Sequence, residues 1–497
     1  MLSAVPLLLH LYTNAFAGYG YFRDELYYLA CTDHLGFGYV DHPPLSIFIL
    51  ALNKLLFGDS LFAVRLLPAV NSALTVFITC LMVKKFNGST AAIIIASLAV
   101  IFAPVYLAMN SYYSMNSFDI LLWALAVFFI IKIIDEDKLY YWIFLGIIMG
   151  FGLMNKIGFL WLGFGFFAGL LISDKRKLYL TSRPYLTALI AFLMFSPFII
   201  WNLQNNFAHL EFIRNATSKK YSGLNISDFI KGQFMNMNPA SAVIWLCGLY
   251  YFLFNRNGKK YRILGIIYLT SFLILIINGH SKAEYLSPAY TFLFAGGAVV
   301  IADFTKFKFV WLRYVVIFLV IVLGIIAIPV TLPILPVEKY ISYSNALGFK
   351  PSSSESKKLS DLPQFYADMH GWEEMAKNVS NVYLTLSEED KKRALVYGQN
   401  YGEASAINFY RNKYPLPEAV SNHNSYWLWM DKEINDPVFI IIGGEKEDNT
   451  DFFEYVEQAG MHSAQYPMPY ENDLKIFVAR KMKGNMKKIW DRIKNYD

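Results

Sequence analysis

Charged side chains are scarce in this chain of 497 residues: only 16% are charged, whereas soluble proteins average about 25%. Cysteines are few as well, and two of the three, Cys80 and Cys247, lie inside apolar runs. A disulfide framework is therefore excluded, and cysteine usage identifies no redox compartment. Apolar residues instead make up 56% of the chain, and its mean hydropathy is +0.36. This composition predicts a membrane protein.

The net charge and the first apolar stretch say more about what kind of membrane protein this is. The net charge of +6 comes from basic residues spread over short loops between apolar runs, so nucleic acid is not an expected partner. The first apolar stretch, residues 2–18, has neither a preceding basic segment nor a clear small-residue cleavage site. We therefore expect a short first membrane helix here instead of a cleavable signal peptide.

Eleven apolar runs approach the roughly 20 residues that a bilayer-spanning helix needs. The shorter run Leu45–Phe57 follows the pair Pro43-Pro44, and we predict a helix that lies on the membrane surface. The predicted spans are residues 2–18, 60–83, 90–108, 117–134, 139–154, 157–173, 185–201, 239–254, 262–279, 285–303 and 310–334.

The distribution of Lys and Arg tests this count, because both residues favour cytoplasmic loops. With the N-terminus inside, the basic clusters at 84–85, 138, 175–183, 256–262 and 306–308 all fall in cytoplasmic loops. The odd number of spans then places the first loop, residues 19–59, and the C-terminal region outside the cytoplasm.

The composition becomes more polar at about residue 337, so we divide the chain into a membrane domain (1–336) and an extracytoplasmic domain (337–497). After a polar linker at residues 352–358, the pattern predicts a small α/β domain. Its basic tail, residues 481–494, fits a solvated terminal helix or an amphipathic helix on the lipid surface. The predicted strands are 394–397, 438–443 and 474–479, and the predicted helices are 403–410 and 451–459.

Polar residues gather in the loops and helix ends that this orientation places outside the cytoplasm. Charges beside a membrane are unfavourable unless they are paired or used, so such a cluster indicates a functional site. The first loop contributes nearly half of them. The residues are Arg23, Asp24, Glu25, Asp41, His42, Asp119, Lys156, His280, Lys282, Glu284 and Tyr285.

Several of these residues also have ordinary explanations. Glu25 and Lys282 fit solvated loop charges, and Asp119 fits a carboxylate at the positive end of a helix. Lys156 fits either a cation that extends to the membrane surface or a ligand for phosphate. Asp24 fits an ordinary surface charge least, because it lies at a helix end between aromatic residues.

Eight motifs closely resemble the bacterial branch of the dolichyl-phosphate-mannose protein mannosyltransferase family, glycosyltransferase family 39. This branch includes relatives of the lipid A aminoarabinose transferases. The resemblance covers nearly the whole chain, and the first two motifs together are the specific ones. The motifs are FRDELYY (22–28), GYVDHPPL (38–45), RLLP (65–68), SFDILLW (117–123), GLMNK (152–156), SKAEYLSP (281–288), YGQNYGE (397–403) and HNSYW (423–427).

The resemblance implies a C-type glycosyltransferase (GT-C) fold: an all-α polytopic membrane domain followed by a soluble α/β domain. It also implies an enzyme of the bacterial inner membrane whose active site and C-terminal domain are extracytoplasmic. The donor of such an enzyme is a sugar carried by a polyprenyl phosphate in the membrane lipid. A lipid, a glycan and a protein hydroxyl all remain open as acceptors.

By the same resemblance, Asp24 is the catalytic carboxylate that takes a proton from the acceptor, and Glu25 and Asp119 are further catalytic candidates. Asp41 is similar to a position that helps to hold a divalent metal ion, for which His280 is a second candidate ligand. A metal ion is therefore the one cofactor that the resemblance implies.

The departing phosphate needs positive charge around it, whereas a strong general acid is not required because the phosphate is already a stable leaving group. At position 42 the aminoarabinose transferases have Lys, and this chain has His, which binds phosphate only when protonated and metal only when neutral. The predicted ligands of the donor phosphate are Arg23, His42, Lys156, Lys282 and Tyr285.

Two other functions are compatible with a membrane protein of this size. A transporter or lipid flippase usually has repeated halves and broken helices near the bilayer midplane. The chain shows no internal repeat, and its ionisable residues gather at one surface. A membrane scaffold whose outer domain binds a partner is the second alternative, and it does not need the acidic first loop.

Overall fold

The computed structural model of the protein describes residues 1–351, 353, 357–430 and 436–497. Of the predicted linker, Ser352 and residues 354–356 lie outside the described residues. Helices make up most of residues 1–346, and a five-stranded sheet lies in the C-terminal part.

Seventeen α-helices form the N-terminal part of the described chain. Short 3-10 helices at Arg176–Leu180, Pro239–Ser241, Lys259–Tyr261 and Ala283–Ala289 connect some of them, and a π-helix spans Ala216–Lys220. The α-helices are α1 (Ala4–Phe16), α2 (Arg23–Asp33), α3 (Leu45–Phe57), α4 (Leu61–Val64), α5 (Leu66–Lys85), α6 (Thr90–Ile101), α7 (Pro104–Met109), α8 (Met115–Glu136), α9 (Leu139–Asn155), α10 (Phe159–Ile172), α11 (Arg183–Gln204), α12 (Ala208–Asn215), α13 (Ile226–Asn236), α14 (Ala242–Leu253), α15 (Arg262–Asn278), α16 (Tyr290–Phe304) and α17 (Val310–Thr331).

Each predicted span coincides with a helix or with a pair of consecutive helices. Among the described residues, six helical segments are long and apolar enough to cross a membrane, and five more apolar helices are shorter. The multi-pass helical architecture is therefore confirmed, whereas the count of eleven spans stays a prediction. The predicted surface helix forms as α3.

Two helix ends place cavity-lining residues next to each other. The Ser114 hydroxyl accepts a hydrogen bond from the Asn116 amide (3.3 Å) and so caps the start of α8. At the end of α9 the chain turns to an extended conformation at Lys156, while the Asn155 side-chain amide donates to the Met115 carbonyl (2.8 Å). The start of α8 and the end of α9 are thereby joined.

The C-terminal part is an α/β unit, as predicted. Its sheet has the order β2-β1-β3-β5-β4, in which β2, β1 and β3 are parallel and β5 is antiparallel to both neighbours. The strands are β1 (Ala394–Tyr397), β2 (Ala419–Val420), β3 (Val438–Ile442), β4 (Phe453–His462) and β5 (Leu474–Met482). The helices are α18 (Val337–Ala346), α19 (Gln364–Ala367), α20 (Trp372–Thr385), α21 (Glu388–Lys392), α22 (Tyr401–Tyr410), α23 (Ser425–Trp429), α24 (Lys446–Thr450) and α25 (Met486–Arg492).

The prediction of a helix at 451–459 is wrong, because this segment belongs to the edge strand β4. Phe453 and Val456 are its buried apolar residues, and their separation by three positions imitates one face of a helix. Backbone pairing with β5 decides the conformation, with a shift of register between Gln458 and Gly460.

The basic tail forms α25, a terminal helix with one solvated face, on which Lys487, Lys488 and Arg492 are exposed. On its other face Trp490 is 1% exposed and packs with Phe439 and Phe477 of the sheet. The prediction of a terminal helix is therefore confirmed, and burial of the indole attaches this helix to the outer domain.

A buried ion pair anchors the start of α2. Glu25 is fully buried, and its carboxylate accepts hydrogen bonds from Arg65 Nε (2.9 Å) and Nη2 (2.7 Å). The backbone amides of Tyr113 (2.7 Å) and Phe22 (2.9 Å) donate to the same carboxylate. Arg65 Nη2 also donates to the Gly20 carbonyl (2.9 Å). One side chain thus connects the first loop to the start of α5 and to the segment before α8.

We expect Arg65→Gln to destabilise the protein by about 3–5 kcal/mol, because it leaves the Glu25 charge buried without its partner. The matched control is Lys54→Gln, which removes the exposed pair between Lys54 Nζ and Asp33 Oδ1 (2.9 Å) and should change stability by less than about 1 kcal/mol. Thermal unfolding of both variants in detergent measures the difference. Equal shifts in Tm would contradict the anchoring role.

Candidate active site

A cavity of about 760 Å³ lies between the first loop, the start of α8, the segment after α11 and the outer domain. It brings together eight of the eleven residues predicted from the sequence to form the site. They are Arg23, Asp24, Asp41, Lys156, His280, Lys282, Glu284 and Tyr285.

Asp24 lies in the first turn of α2 and reaches the cavity with its side chain 35% exposed. The Tyr401 hydroxyl donates a hydrogen bond to Asp24 Oδ1 (2.9 Å), and Arg23 Nε lies 3.5 Å from the same oxygen. Arg23 is nearly buried, and its Nη1 donates to the Tyr470 hydroxyl (2.8 Å). Tyr401 and Arg23 therefore both contact Oδ1 of Asp24, and neither of these contacts involves Oδ2.

Asp41 is the second carboxylate of the cavity. The Tyr27 hydroxyl donates to Asp41 Oδ1 (2.8 Å). Burial, and then the charge of Asp41, raises the pKa of Tyr27 well above its usual range, so the phenol stays protonated and remains a donor. After His42, the rigid pair Pro43-Pro44 leads into α3, with Pro44 as its N-cap.

Lys156 supplies the best-defined positive charge. Its Nζ donates to Asn116 Oδ1 (2.7 Å), lies 3.8 Å from Asp119 Oδ2 and sits 5.0 Å from the ring centroid of Tyr285. Lys282, also in the cavity lining, sits 4.8 Å from the ring centroid of Tyr221. Both ammonium groups thus lie against aromatic rings, and such cation–π contacts stabilise the charged form of the lysine.

Three predicted site residues do not line the cavity. Glu25 is fully used by Arg65 and two backbone amides, so its place is structural. His42 is 1% exposed, stacks on Tyr28 with centroids 4.7 Å apart, and faces the Pro43 carbonyl with Nδ1 (2.9 Å). Asp119 is 4% exposed and lies behind Lys156. The structure thus places these three side chains behind the cavity lining, where they support its wall, and their roles in catalysis and phosphate binding stay predictions.

The cavity also contains residues that the sequence reasoning did not select. Tyr401, Asn424 and Asp368 come from the outer domain, the last from the end of α19. His209 lies in α12, and Tyr221 follows the π-helix. Tyr401 and Asn424 lie within the motifs at 397–403 and 423–427, which were the available signal. The other three stand in no recognisable motif.

The divalent metal ion that the resemblance implies would need further ligands close to Asp41. His280 is exposed, and its Nδ1 lies 3.0 Å from the Leu224 carbonyl. His209 is a better neighbour for Asp41: its Nδ1 lies 2.9 Å from the Val40 carbonyl, and burial lowers its pKa to about 4, so it is neutral at pH 7. Within the described residues, however, no group of three or more His, Cys, Asp and Glu side chains is arranged to hold a metal. The protein ligands alone are therefore an incomplete set.

A pair of buried acids lies beside this site, in the outer domain. The Asn400 side-chain amide donates to both Glu403 Oε1 (3.0 Å) and Glu471 Oε1 (2.9 Å). Burial, and then the charge of Glu471, raises the pKa of Glu403 well above its usual range. Burial likewise raises the pKa of Glu471 to about 7, although the nearby Arg23 opposes this. The pair therefore retains a proton at neutral pH.

Known proteins match this chain in both sequence and fold. Residues 41–201 match the family model of the dolichyl-phosphate-mannose-protein mannosyltransferases. This is the family that the motifs indicate. A segment of 130 residues, 25% of the chain, is 29% identical to undecaprenyl phosphate-alpha-4-amino-4-deoxy-L-arabinose arabinosyl transferase of Pseudomonas savastanoi pv. phaseolicola. The matched segment spans 24% of that relative's length.

The fold extends the likeness over nearly the whole molecule. ArnT from Cupriavidus metallidurans bound to undecaprenyl phosphate is similar with a TM-score of 0.60, and its apo structure with a TM-score of 0.61. Each match covers 96% of this chain and 97% of ArnT at 11% identity. The predicted combination of a polytopic helical domain with a C-terminal α/β domain is thus confirmed as a fold.

The acid pair predicts an unusual dependence of stability on pH. Because the pKa of Glu471 is raised from 4.5 to about 7, the folded state binds more protons than the unfolded state between these values, so stability falls as the pH rises from about 4.5 to 7. The loss is about 3 kcal/mol at most. We expect Glu471→Gln to remove much of this slope, whereas Glu389→Gln, at an exposed position, should not. Tm measured from pH 4.5 to 8 tests this, and identical slopes in all three proteins would contradict it.

Proposed function

We propose that the protein is an integral membrane glycosyltransferase that moves a sugar from a polyprenyl-phosphate donor to an acceptor outside the cytoplasm. The observation that supports this most is the composition of one cavity, in which the carboxylates of Asp24 and Asp41 share about 760 Å³ with the cations Lys156 and Lys282. Carboxylates suit the acceptor proton, and cations suit the departing phosphate.

Asp24 is the proposed general base. Oδ1 is held by Tyr401, so Oδ2 takes the proton as the acceptor hydroxyl oxygen forms its bond to the anomeric carbon. Attack occurs on the face opposite the phosphate, and the configuration is inverted, as the resemblance implies. The bond from the anomeric carbon to the phosphate oxygen breaks, and its electron pair leaves with the polyprenyl phosphate.

Lys156 is the proposed first ligand of that phosphate. Asn116 and Tyr285 hold the ammonium in the cavity, and the carboxylate of Asp119 behind it keeps it oriented. Charge-assisted hydrogen bonds of this kind strengthen as negative charge develops on the leaving group. Lys282 and Arg23 add positive charge to the same cavity.

The apolar part of the lining supports a lipid-linked donor. Ile157, Trp161, Ile213 and Ile274 share the cavity with the charged residues. A lining with both characters suits a head group that must be bound while its polyprenyl tail remains in the membrane. The proposal keeps the division at residue 337 and the extracytoplasmic placement of the site and the outer domain, for which the support is the distribution of Lys and Arg in the loops.

A divalent metal ion at Asp41 stays a prediction, with His209 in place of His280 as the more suitable second ligand. No step proposed here passes through it. The acceptor in this proposal is a lipid, glycan or protein hydroxyl.

We expect Asp24→Asn to lower transfer at least 100-fold, because the amide does not accept the acceptor proton. Asp33→Asn, at the exposed end of the same helix, is the matched control and should retain activity. The assay incubates purified protein with labelled polyprenyl-phosphate sugars and membrane extract and counts label in the product. Full activity of Asp24→Asn would contradict the assignment of the base. Wild-type protein that transfers no sugar from any such donor would refute the proposed function.

Lys156→Gln should raise KM for the donor about tenfold or more and lower kcat, because the neutral amide does not balance the phosphate charge. Lys138→Gln provides a control at the opposite end of α9, where the ammonium pairs with Glu136 Oε2 (2.9 Å) and is 53% exposed. Steady-state kinetics with varied donor concentration separates the two parameters. An unchanged KM and kcat in Lys156→Gln would place the phosphate elsewhere.

A further inference from the structure

Two outer-domain motifs, at residues 397–403 and 423–427, meet the first loop directly. The first motif ends β1 and begins α22, which packs against α2. The second contains Ser425, at the start of α23. Both reach the carboxylates of the cavity, although they lie about 400 residues from Asp24 and Asp41 in the chain.

Tyr401 makes the closest of these contacts. Its hydroxyl donates to Asp24 Oδ1 (2.9 Å), its ring lies 4.6 Å from that of Tyr27, and the Arg23 guanidinium sits 5.3 Å from its centroid. The phenol ring is thus packed against Tyr27 and Arg23, and its hydroxyl donates to the proposed base. A hydrogen bond to one carboxylate oxygen stops rotation of the group and settles which oxygen accepts a proton.

The surrounding residues hold Tyr401 in this place. Asn400 Oδ1 caps α22 by accepting from the amides of Gly402 (2.8 Å) and Glu403 (3.2 Å). The Asn400 amide nitrogen also bonds the buried acids Glu403 and Glu471. A Cβ at Gly402 would lie 2.6 Å from Arg23 Cγ, so the approach of α22 to α2 requires glycine here.

Ser425 supports the second carboxylate in a similar way. Its hydroxyl accepts from the Val40 amide (3.0 Å), and its backbone amide donates to the Tyr27 hydroxyl (3.4 Å). Tyr27 in turn donates to Asp41 Oδ1 (2.8 Å). The outer domain therefore reaches each acid through a tyrosine hydroxyl, directly for Asp24 and through one intermediate for Asp41.

We infer that Tyr401 is a positioning residue for sugar transfer: it orients Asp24, so that the outer domain completes an active site otherwise built from the membrane domain. This inference rests on the proposed function. Tyr401 orients the base, whereas Lys156 binds the phosphate. Removal of the Tyr401 hydroxyl should therefore slow the chemical step and leave donor binding unchanged.

The test is Tyr401→Phe, which keeps both ring contacts and removes only the hydroxyl. The matched control is Tyr410→Phe, at the other end of α22, where the side chain packs against Phe409 with centroids 5.1 Å apart. A hydrogen bond to a charged group corresponds to a factor of about 10–100, so we expect kcat of Tyr401→Phe to fall by that factor. KM for the donor should stay within about twofold of wild type, and Tm should match that of Tyr410→Phe.

Gly402→Ala gives a second approach to the same contact, because the added methyl group meets Arg23 and moves α22 from α2. It should also lower kcat more than it raises KM. The inference is overturned if kcat of Tyr401→Phe equals that of Tyr410→Phe. It is also overturned if Tyr401→Phe and Gly402→Ala each show a lower kcat, a higher KM and a lower Tm together, which would indicate general disruption of the fold. All variants are compared with active wild-type protein. If the wild-type protein itself is inactive, the proposed function is refuted instead.

Discussion

The Glu25 carboxylate accepts hydrogen bonds from Arg65, from the Phe22 amide and from the Tyr113 amide, and no part of it is exposed. This buried pair fixes the first turn of α2 relative to α5 and to the segment that leads into α8. The direction of Asp24, one residue earlier, follows from it. Burial of the charge is tolerated because each of the two carboxylate oxygens accepts two hydrogen bonds. The remaining geometry of the cavity depends on this anchor.

From the anchor, the site extends into the outer domain. Arg23 precedes Asp24, and its backbone amide donates to the Asp368 carbonyl (3.0 Å) while its guanidinium reaches Tyr470. Tyr401 and Ser425 close the opposite side of the first loop. A loop between two membrane helices is thereby held from both sides. Fixed hydrogen-bond donors around the carboxylates follow from the same arrangement, and they favour proton transfer from an acceptor hydroxyl.

The sequence was sufficient for the architecture because lipid imposes a simple rule: backbone polar groups must be satisfied within helices, so long apolar runs become helices. Asp24 and Lys156 could be selected as candidates from their motifs, and both line the cavity. The burial of Glu25 could not be predicted, since its partner Arg65 lies 40 positions away in the chain. Likewise, Asp119 lies behind Lys156, and His42 lies beneath Tyr28, only because of how helices pack. The edge strand β4 was misjudged because its two buried residues are three positions apart.

In the proposed mechanism, one cavity binds the donor phosphate at Lys156 and holds Asp24 in reach of the acceptor. A structure of the purified protein with polyprenyl phosphate bound tests this most directly. The claim predicts a phosphate within hydrogen-bond distance (~3 Å) of Lys156 Nζ, inside the cavity that Asp24 and Asp41 line. A phosphate bound outside this cavity, with Lys156 contacting only Asn116, Asp119 and Tyr285 as before, would contradict it.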